Sequence, residues 1–237
     1  MKINDKIRKA RIDHLIVAAH SLDEGVRWCR NTLGITPEPG GSHALFGTHN
    51  RLLRLQSTEH TLAYLEIIAI DPSTKPSREK HLARWFDLDD PSIKQQLQQE
   101  GPQLIHWVAS TPKLAMAIAN LRTLGIDRGS LIEASRPTAQ GLLQWKISVR
   151  DDGQRLFGGA LPTLIEWGSA HPAHSLTKPA LKLCSLSLQH PHAQQLQLAL
   201  TTIGLGDVPV AVGPAGMFAE LILGDGSSLS LSHHEAV

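Results

Sequence analysis

At 237 residues, with 23 basic and 22 acidic side chains and a formal charge of +1, the chain is long enough to bury a substantial core and has no net charge suited to nucleic acid or an acidic membrane. No stretch approaches the roughly 18 consecutive apolar residues of a membrane span, and the charged start MKINDKIRKARID lacks the apolar centre of a signal peptide. Two cysteines, Cys29 and Cys184, make no disulfide framework and fit a reducing cytoplasm.

In chain order, the first element is RIDHLIVAA, an apolar run that carries His14 and reads as a strand. SLDEGVRWCRNTLG follows, with Ser21 placed to cap a helix, Leu22, Val26 and Leu33 as its apolar stripe and Gly34 as its stop. A glycine-rich turn (Pro39, Gly40, Gly41, Gly47) leads into GTHN, which sets His49 and Asn50 at the entrance of a strand continuing as LLRLQ. AYLEIIAI, with Glu66, closes the unit, so residues 11–70 read as a βαβββ module. Residues 71–101 form a linker of Pro-containing turns, the tripeptide Arg84-Trp85-Phe86 and a short helix.

The same order returns over residues 102–169. QLIHWVAST carries His106, and TPKLAMAIANLRTLG repeats the helix with Thr111 as cap, Leu114, Ile118 and Leu121 as stripe and Gly125 as stop. LLQWKISV and PTLIEWG are the last strands, the latter with Glu166. His14 stands 20 positions before Gly34 and His106 stands 19 before Gly125, so the two modules are in register. A third unit over residues 180–233 (LKLCSLSLQH, PHAQQLQLALTTIGLG, PVAVG, MFAELILG, SLSLS) matches in outline. Counting back 20 from Gly204 reaches Cys184, and Ser230 stands where a glutamate would be needed, so this unit reads as scaffold, lid or oligomer contact. The expected fold is α+β: paired βαβββ modules forming a curved mixed sheet around a cleft, plus a truncated third module.

Two imidazoles and two carboxylates at equivalent positions of two modules suit a divalent cation. Strand alternation places His14 with Ile16 and Ala18, Glu66 with Tyr64 and Ile68, His106 with Val108 and Ser110, and Glu166 with Leu164. A carboxylate on such an apolar face needs a partner, a proton or a metal. Alone, a strand histidine is more often a satisfied core residue; the fourfold correspondence favours one shared site. By the same alternation Trp107 and Trp167 face away from it. His49 reads as a general base or substrate hydrogen-bonder and Asn50 as a donor to a substrate oxygen, with a self-closing turn as the competing reading. A His14, His49, Glu66 triad is a second ligand option, suited to non-haem iron. Arg136 and Trp145 are candidates for substrate binding, with packing as the competing role. The histidines at 171, 174, 190, 192, 233 and 234 lie in linker, turn or tail contexts, where solvent exposure is expected.

DHLIVAA, the glycine-rich run before GTHN, YLEIIA, RWF, LLQWKI and LIEWG, set on a repeated βαβββ unit, resemble the glyoxalase-like domain branch of the vicinal oxygen chelate superfamily over about residues 11–170. The resemblance implies two modules wrapped around a cleft, with His14, Glu66, His106 and Glu166 holding a divalent ion (Zn, Ni, Co, Mn or Fe) that is open to the vicinal oxygens of a small molecule. Such an ion would act as a Lewis acid that stabilises an enediolate, while Glu66 or Glu166 leaves it to move a proton. The implied activity is that of a metal-dependent lyase or isomerase. The alternative is a metal-free small-molecule binding or sequestering protein of the same fold, with Trp107, Trp145 and Trp167 as stacking surface. Modules of this type exchange between protomers, which makes a homodimer one expected assembly.

Overall fold

The computed structural model describes residues 10–138, 141–177 and 181–234; the charged start up to residue 9 and residues 178–180, where the third unit begins, lie outside them. The first module comprises β1 (Arg11–Ala18), α1 (Leu22–Leu33), β2 (Glu38–His43), β3 (Thr48–Gln56) and β4 (Tyr64–Ile70). The linker contains α2 (Pro91–Glu100). The second module comprises β5 (Gln103–Ser110), α3 (Leu114–Thr123), β6 (Ser130–Thr138), β7 (Gly141–Val149) and β8 (Thr163–Trp167). Pro39, Gly40 and Gly41, expected in a turn, belong to β2, and Gly47 with its positive φ of 58° makes the turn into β3.

In each module the first strand runs parallel to the last, and the three later strands are antiparallel to one another. An antiparallel seam between β1 and β5 joins the modules, so the strand order β2-β3-β4-β1-β5-β8-β7-β6 reads the same outward from its middle. The two ends of this run meet: Arg136 Nη1 on β6 donates to the Gly40 carbonyl on β2 at 2.8 Å. The seam is irregular in two places. Asp13 is passed over between the pairs Ile12/Ala109 and His14/Val108, and Ile105 between the pairs Ile16/His106 and Val17/Leu104. Each is a bulge, and each resets which face the following side chains take.

The third unit comprises β9 (Leu181–Gln189), α4 (Ala193–Thr202), β10 (Val210–Ala211), β11 (Gly216–Ile222) and β12 (Ser228–His234). β9 pairs in parallel with the end of β3, and β11 lies between β9 and β12, an order unlike that of the two modules. Its leucines 181, 183, 186, 188, 196 and 200 join the helix-side core formed by Leu15, Val17, Leu65, Ile67, Trp107, Leu121 and Leu164. A second core on the opposite sheet face gathers Ile16, Ile68, Val108 and Ile165 with Phe46, Trp85 and Phe86. Strands β1, β4 and β5 are therefore buried on both faces, which is why their sequences read as nearly unbroken apolar runs. A polar side chain in these strands carries a desolvation cost, and Asp13, His14, Glu66 and His106 each meet it with hydrogen-bond partners.

Candidate active site

A narrow cavity with about 30 Å³ of free space lies over this second core and receives side chains from both modules. His14 and Glu66, on the parallel neighbours β1 and β4, stand at its centre with Nε2 3.3 Å from Oε2. His14 Nδ1 donates to Asp13 Oδ1 at 2.7 Å, a contact between adjacent residues that the bulge at Asp13 permits. Asp13 Oδ2 accepts from Trp167 Nε1 at 2.9 Å and lies 3.2 Å from His171 Nε2. His171 Nδ1 accepts from the Ala173 amide at 3.1 Å, so its proton resides on Nε2 and is donated to Asp13.

These contacts settle the charges. Burial pushes the Asp13 carboxyl up, but the hydrogen bonds from His14 and His171 outweigh it and hold the group well below the carboxylate range. Burial opposes charge on His14, yet Asp13 and Glu66 on either side raise its pKa from 6.5 to about 9, so the ring is an imidazolium at neutral pH. Burial likewise raises Glu66, and its hydrogen bond and attraction to His14, with help from Asn50, bring it below its ordinary value.

Asn50 Nδ2 donates to Glu66 Oε1 while its Oδ1 accepts from the Gly41 amide at 2.8 Å. A Cβ on Gly40 would fall 1.9 Å from Asn50 Oδ1, and one on Gly41 would fall 2.3 Å from Arg136 Nη1. The Gly-Gly pair thus exists so that Asn50 and Arg136 can close over the cavity. His43 on β2 lies 3.2 Å from Thr48 Oγ1 and 3.4 Å from Asn50 Nδ2, and burial lowers it to about 4, leaving it neutral. Tyr64 stacks on His14 with ring centres 4.4 Å apart. Trp85, which lines the cavity, stacks on Phe46 at 3.9 Å and on Phe86 at 4.9 Å. Phe86 and Asp87 take left-handed φ of 62° and 58°, a strained pair of residues held by Asp87 Oδ2 against Arg155 Nε at 2.8 Å. Outside the mouth, a groove of about 610 Å³ shares Leu52, Arg136, Leu143 and Pro172 with the cavity.

Of the residues expected in a shared site, His14, Glu66, Asn50, Arg136 and Trp145 line the cavity, whereas His106, Glu166 and His49 do not. His106 donates from Nδ1 to the Gly159 carbonyl at 2.9 Å and accepts at Nε2 from the Thr163 amide at 3.1 Å. Burial, then the neighbouring Arg128 and Arg155, hold its pKa well below 6.5. It is a satisfied core histidine beside Phe86, with ring centres 5.3 Å apart. Glu166 lies one position out of phase: Ile165 and Trp167 face the cavity, so Glu166 faces α3. There Oε2 accepts from the Leu114 amide at 2.9 Å and supplies the cap that the helix's own N-cap residue, Lys113, lacks. Thr111, the expected cap, accepts from Lys113 N instead. Trp167, expected to face away, is an inward-facing residue. His49 alternates with Asn50 and lines a different groove with His20, Ser21 and Lys94, 4.0 Å from Asp71 Oδ2. His171 and His233, expected in solvent, are both buried, and His171 with Asp13, His43 and Tyr64 completes the site.

The four-ligand metal centre therefore does not assemble. Both ring nitrogens of His106 are taken by the Gly159 carbonyl and the Thr163 amide, and Glu166 is on the other face, so His14 and Glu66 are left without the second module's pair. Among the described residues, no group of three or more His, Cys, Asp or Glu side chains is gathered closely enough to hold an ion. The residues present do not fit the cation that the resemblance implies.

The family model for a glyoxalase-like domain matches residues 12–204. The chain belongs to the glyoxalase-like domain family. This glyoxalase-like chain shares its fold with a hypothetical protein from Staphylococcus aureus, at 16% identity over 95% of this chain and 88% of that one, with a TM-score of 0.59. A methylmalonyl-CoA epimerase from Mycobacterium tuberculosis aligns at 17% identity over 74% of this chain and 97% of that one, with a TM-score of 0.38. A methylmalonyl-CoA epimerase in complex with methylmalonyl-CoA and NH4+ aligns at 20% identity over 69% and 98%, with a TM-score of 0.40. No curated protein matches. The glyoxalase-like fold here is α+β with a large mixed sheet, and among its described residues no helix is long and apolar enough to cross a membrane.

Proposed function

We propose that this glyoxalase-like protein is an isomerase- or lyase-type enzyme that moves a proton on a small molecule with neighbouring oxygens, using His14 and Glu66 as its acid and base. The observation that carries the reading is the buried pair itself: an imidazolium and a carboxylate 3.3 Å apart, both facing one cavity. That separation is longer than the 2.7–2.9 Å or so of a strong charge-assisted contact, which leaves room for a substrate oxygen to take the His14 proton in place of Glu66. Glu66, relieved of that partner, regains basicity and abstracts the proton from the adjoining carbon. His14 stabilises the negative charge that develops on the oxygen, in a dry site where such an interaction is strong. Asp13 keeps the ring charged and oriented, and Asn50 holds Glu66 in place.

Solvent-hydrogen exchange tests the reading. Incubated in D2O with a panel of 2-hydroxy aldehydes, 2-hydroxy ketones and 2-oxo acids, the wild-type protein should label at least one compound at the carbon next to its carbonyl. Glu66→Gln and His14→Gln should each slow that labelling by about 10²–10⁴-fold. Exchange at equal rates in all three proteins, or none with any compound that binds the cavity, would remove the proposal. The aromatic lining, with Trp145 and Trp167 at 5.9 Å and Trp85 between two phenylalanines, supports a second reading as a sequestering protein. Tight binding without exchange would favour that alternative.

A further inference from the structure

We propose that the molecule taken by this cavity is a carboxylic acid whose carboxylate is held by Arg136 at the mouth. The inference rests on the reading of His14 and Glu66 as the working pair and names the class of compound they act on. It starts from the hydrogen-bond inventory of the cavity. The acceptors are already used: Glu66 receives Asn50 and His14, Asn50 Oδ1 receives the Gly41 amide, and Asp13 receives three donors on the far side of His14. The donors are in surplus. Trp85 Nε1 is buried without a partner, although the side chain lines the cavity. Arg136 spends one hydrogen bond on the Gly40 carbonyl, and among the described residues no carboxylate lies within ion-pair distance of it. Arg84, Arg150 and Arg155, by contrast, each close on an aspartate, namely Asp89, Asp152 and Asp87. A buried donor and a guanidinium with unused N–H groups are matched by a ligand that brings acceptor oxygens and a negative charge.

Position narrows the class further. Arg136 is shared between the inner cavity and the outer groove, so a carboxylate on it would lie outside Glu66 while the neighbouring carbon points inward. The inner cavity is narrow and walled by Trp85, Trp145 and Trp167, which suits a flat 2-oxo acid better than a bulky tetrahedral phosphate.

Binding of benzoylformate, benzoylformamide and phenylphosphonate, followed by tryptophan fluorescence and by ligand-observed NMR, tests the assignment. The acid is expected to bind wild-type protein at least about tenfold more tightly than the amide, the size of one lost charge-assisted hydrogen bond. Arg136→Met should erase the preference, and Arg136→Lys should keep only part of it, with unfolding midpoints confirming that both variants fold. Equal affinity for acid and amide, an undiminished preference in Arg136→Met, or tighter binding of the phosphonate would overturn the carboxylate. Neutral 2-hydroxy ketones still labelled through His14 and Glu66 in D2O would then show that the acid–base reading survives its loss. Failure of every compound to enter the cavity would sink both.

Discussion

Replacing Asp13 with asparagine should turn His14 from a cation into a neutral ring. The native environment holds the pKa at about 9 against an ordinary 6.5, a preference for the charged form of about 3 kcal/mol at 1.36 kcal/mol per pH unit. In the variant the amide oxygen still accepts from Trp167 Nε1 and His171 Nε2, which turns the NH2 group toward His14 Nδ1 and makes that atom an acceptor. Burial then opposes the charge with only Glu66 to counter it, and the pKa drops toward 6.5 or lower. Stability follows with a definite sign. A histidine raised in the folded state lends stability that is complete below about pH 6.5 and is lost as pH climbs through about 9. Wild-type protein should therefore lose up to about 3 kcal/mol across that window, and Asp13→Asn should show little of this slope. Histidine ring resonances followed by NMR titration, assigned with His14→Gln, report the first quantity, and urea unfolding at the two pH limits reports the second. An unchanged His14 titration in the variant, or a flat wild-type stability between the two limits, would refute the coupling.

Three further outcomes follow from the same contacts. Glu166→Ala removes the α3 cap and should cost about 0.5–2 kcal/mol in urea unfolding while leaving ligand affinity unchanged; a parallel loss of binding would contradict its placement away from the cavity. Gly40→Ala forces a Cβ to 1.9 Å from Asn50 Oδ1, so turnover should fall at least about tenfold with the circular dichroism spectrum preserved, as expected when Glu66 loses its alignment. His43 is lowered to about 4 in the folded protein, so the stability tied to it is complete above about pH 6.5 and is lost as pH falls toward 4, by up to about 3 kcal/mol. A His43→Gln variant should lose correspondingly less over that range, and an identical acid profile would count against the neutral assignment.

The repeated module was legible because its markers are local: capping serine, apolar stripe, stop glycine and strand runs at fixed spacing. His14 and Glu66 could be placed on one face because Glu66 sits in the regular stretch of β4 and His14 is followed by unbroken alternation. His106 keeps the face it shares with Val108, but its ring is taken up by the Gly159 carbonyl and the Thr163 amide, partners that leave no mark in QLIHWVAST itself. Glu166 failed for another reason, because a face with period two is inverted by an offset of one residue, and what rewards the outward position is a helix end 52 residues earlier. Asp13 does leave a local mark, since a carboxylate inside an apolar strand has to find donors. Those donors, Trp167 and His171, are more than 150 residues away, beyond any local pattern. His43 and His171 sit in glycine- and proline-rich contexts that ordinarily mean solvent, and only tertiary packing buries them.

The seam between β1 and β5 has a consequence for how this protein would fail. The carboxylate beside His14 is quieted by an indole and an imidazole that belong to the other half of the duplication and to the turn just past it. Residues 11–70, severed from the rest, would be left with a naked anion in an oily strand and a histidine free to shed its charge. Loosening of the seam should thus extinguish the proposed proton transfer while helices and strands are still present, so that heat or urea abolishes labelling in D2O ahead of the circular dichroism.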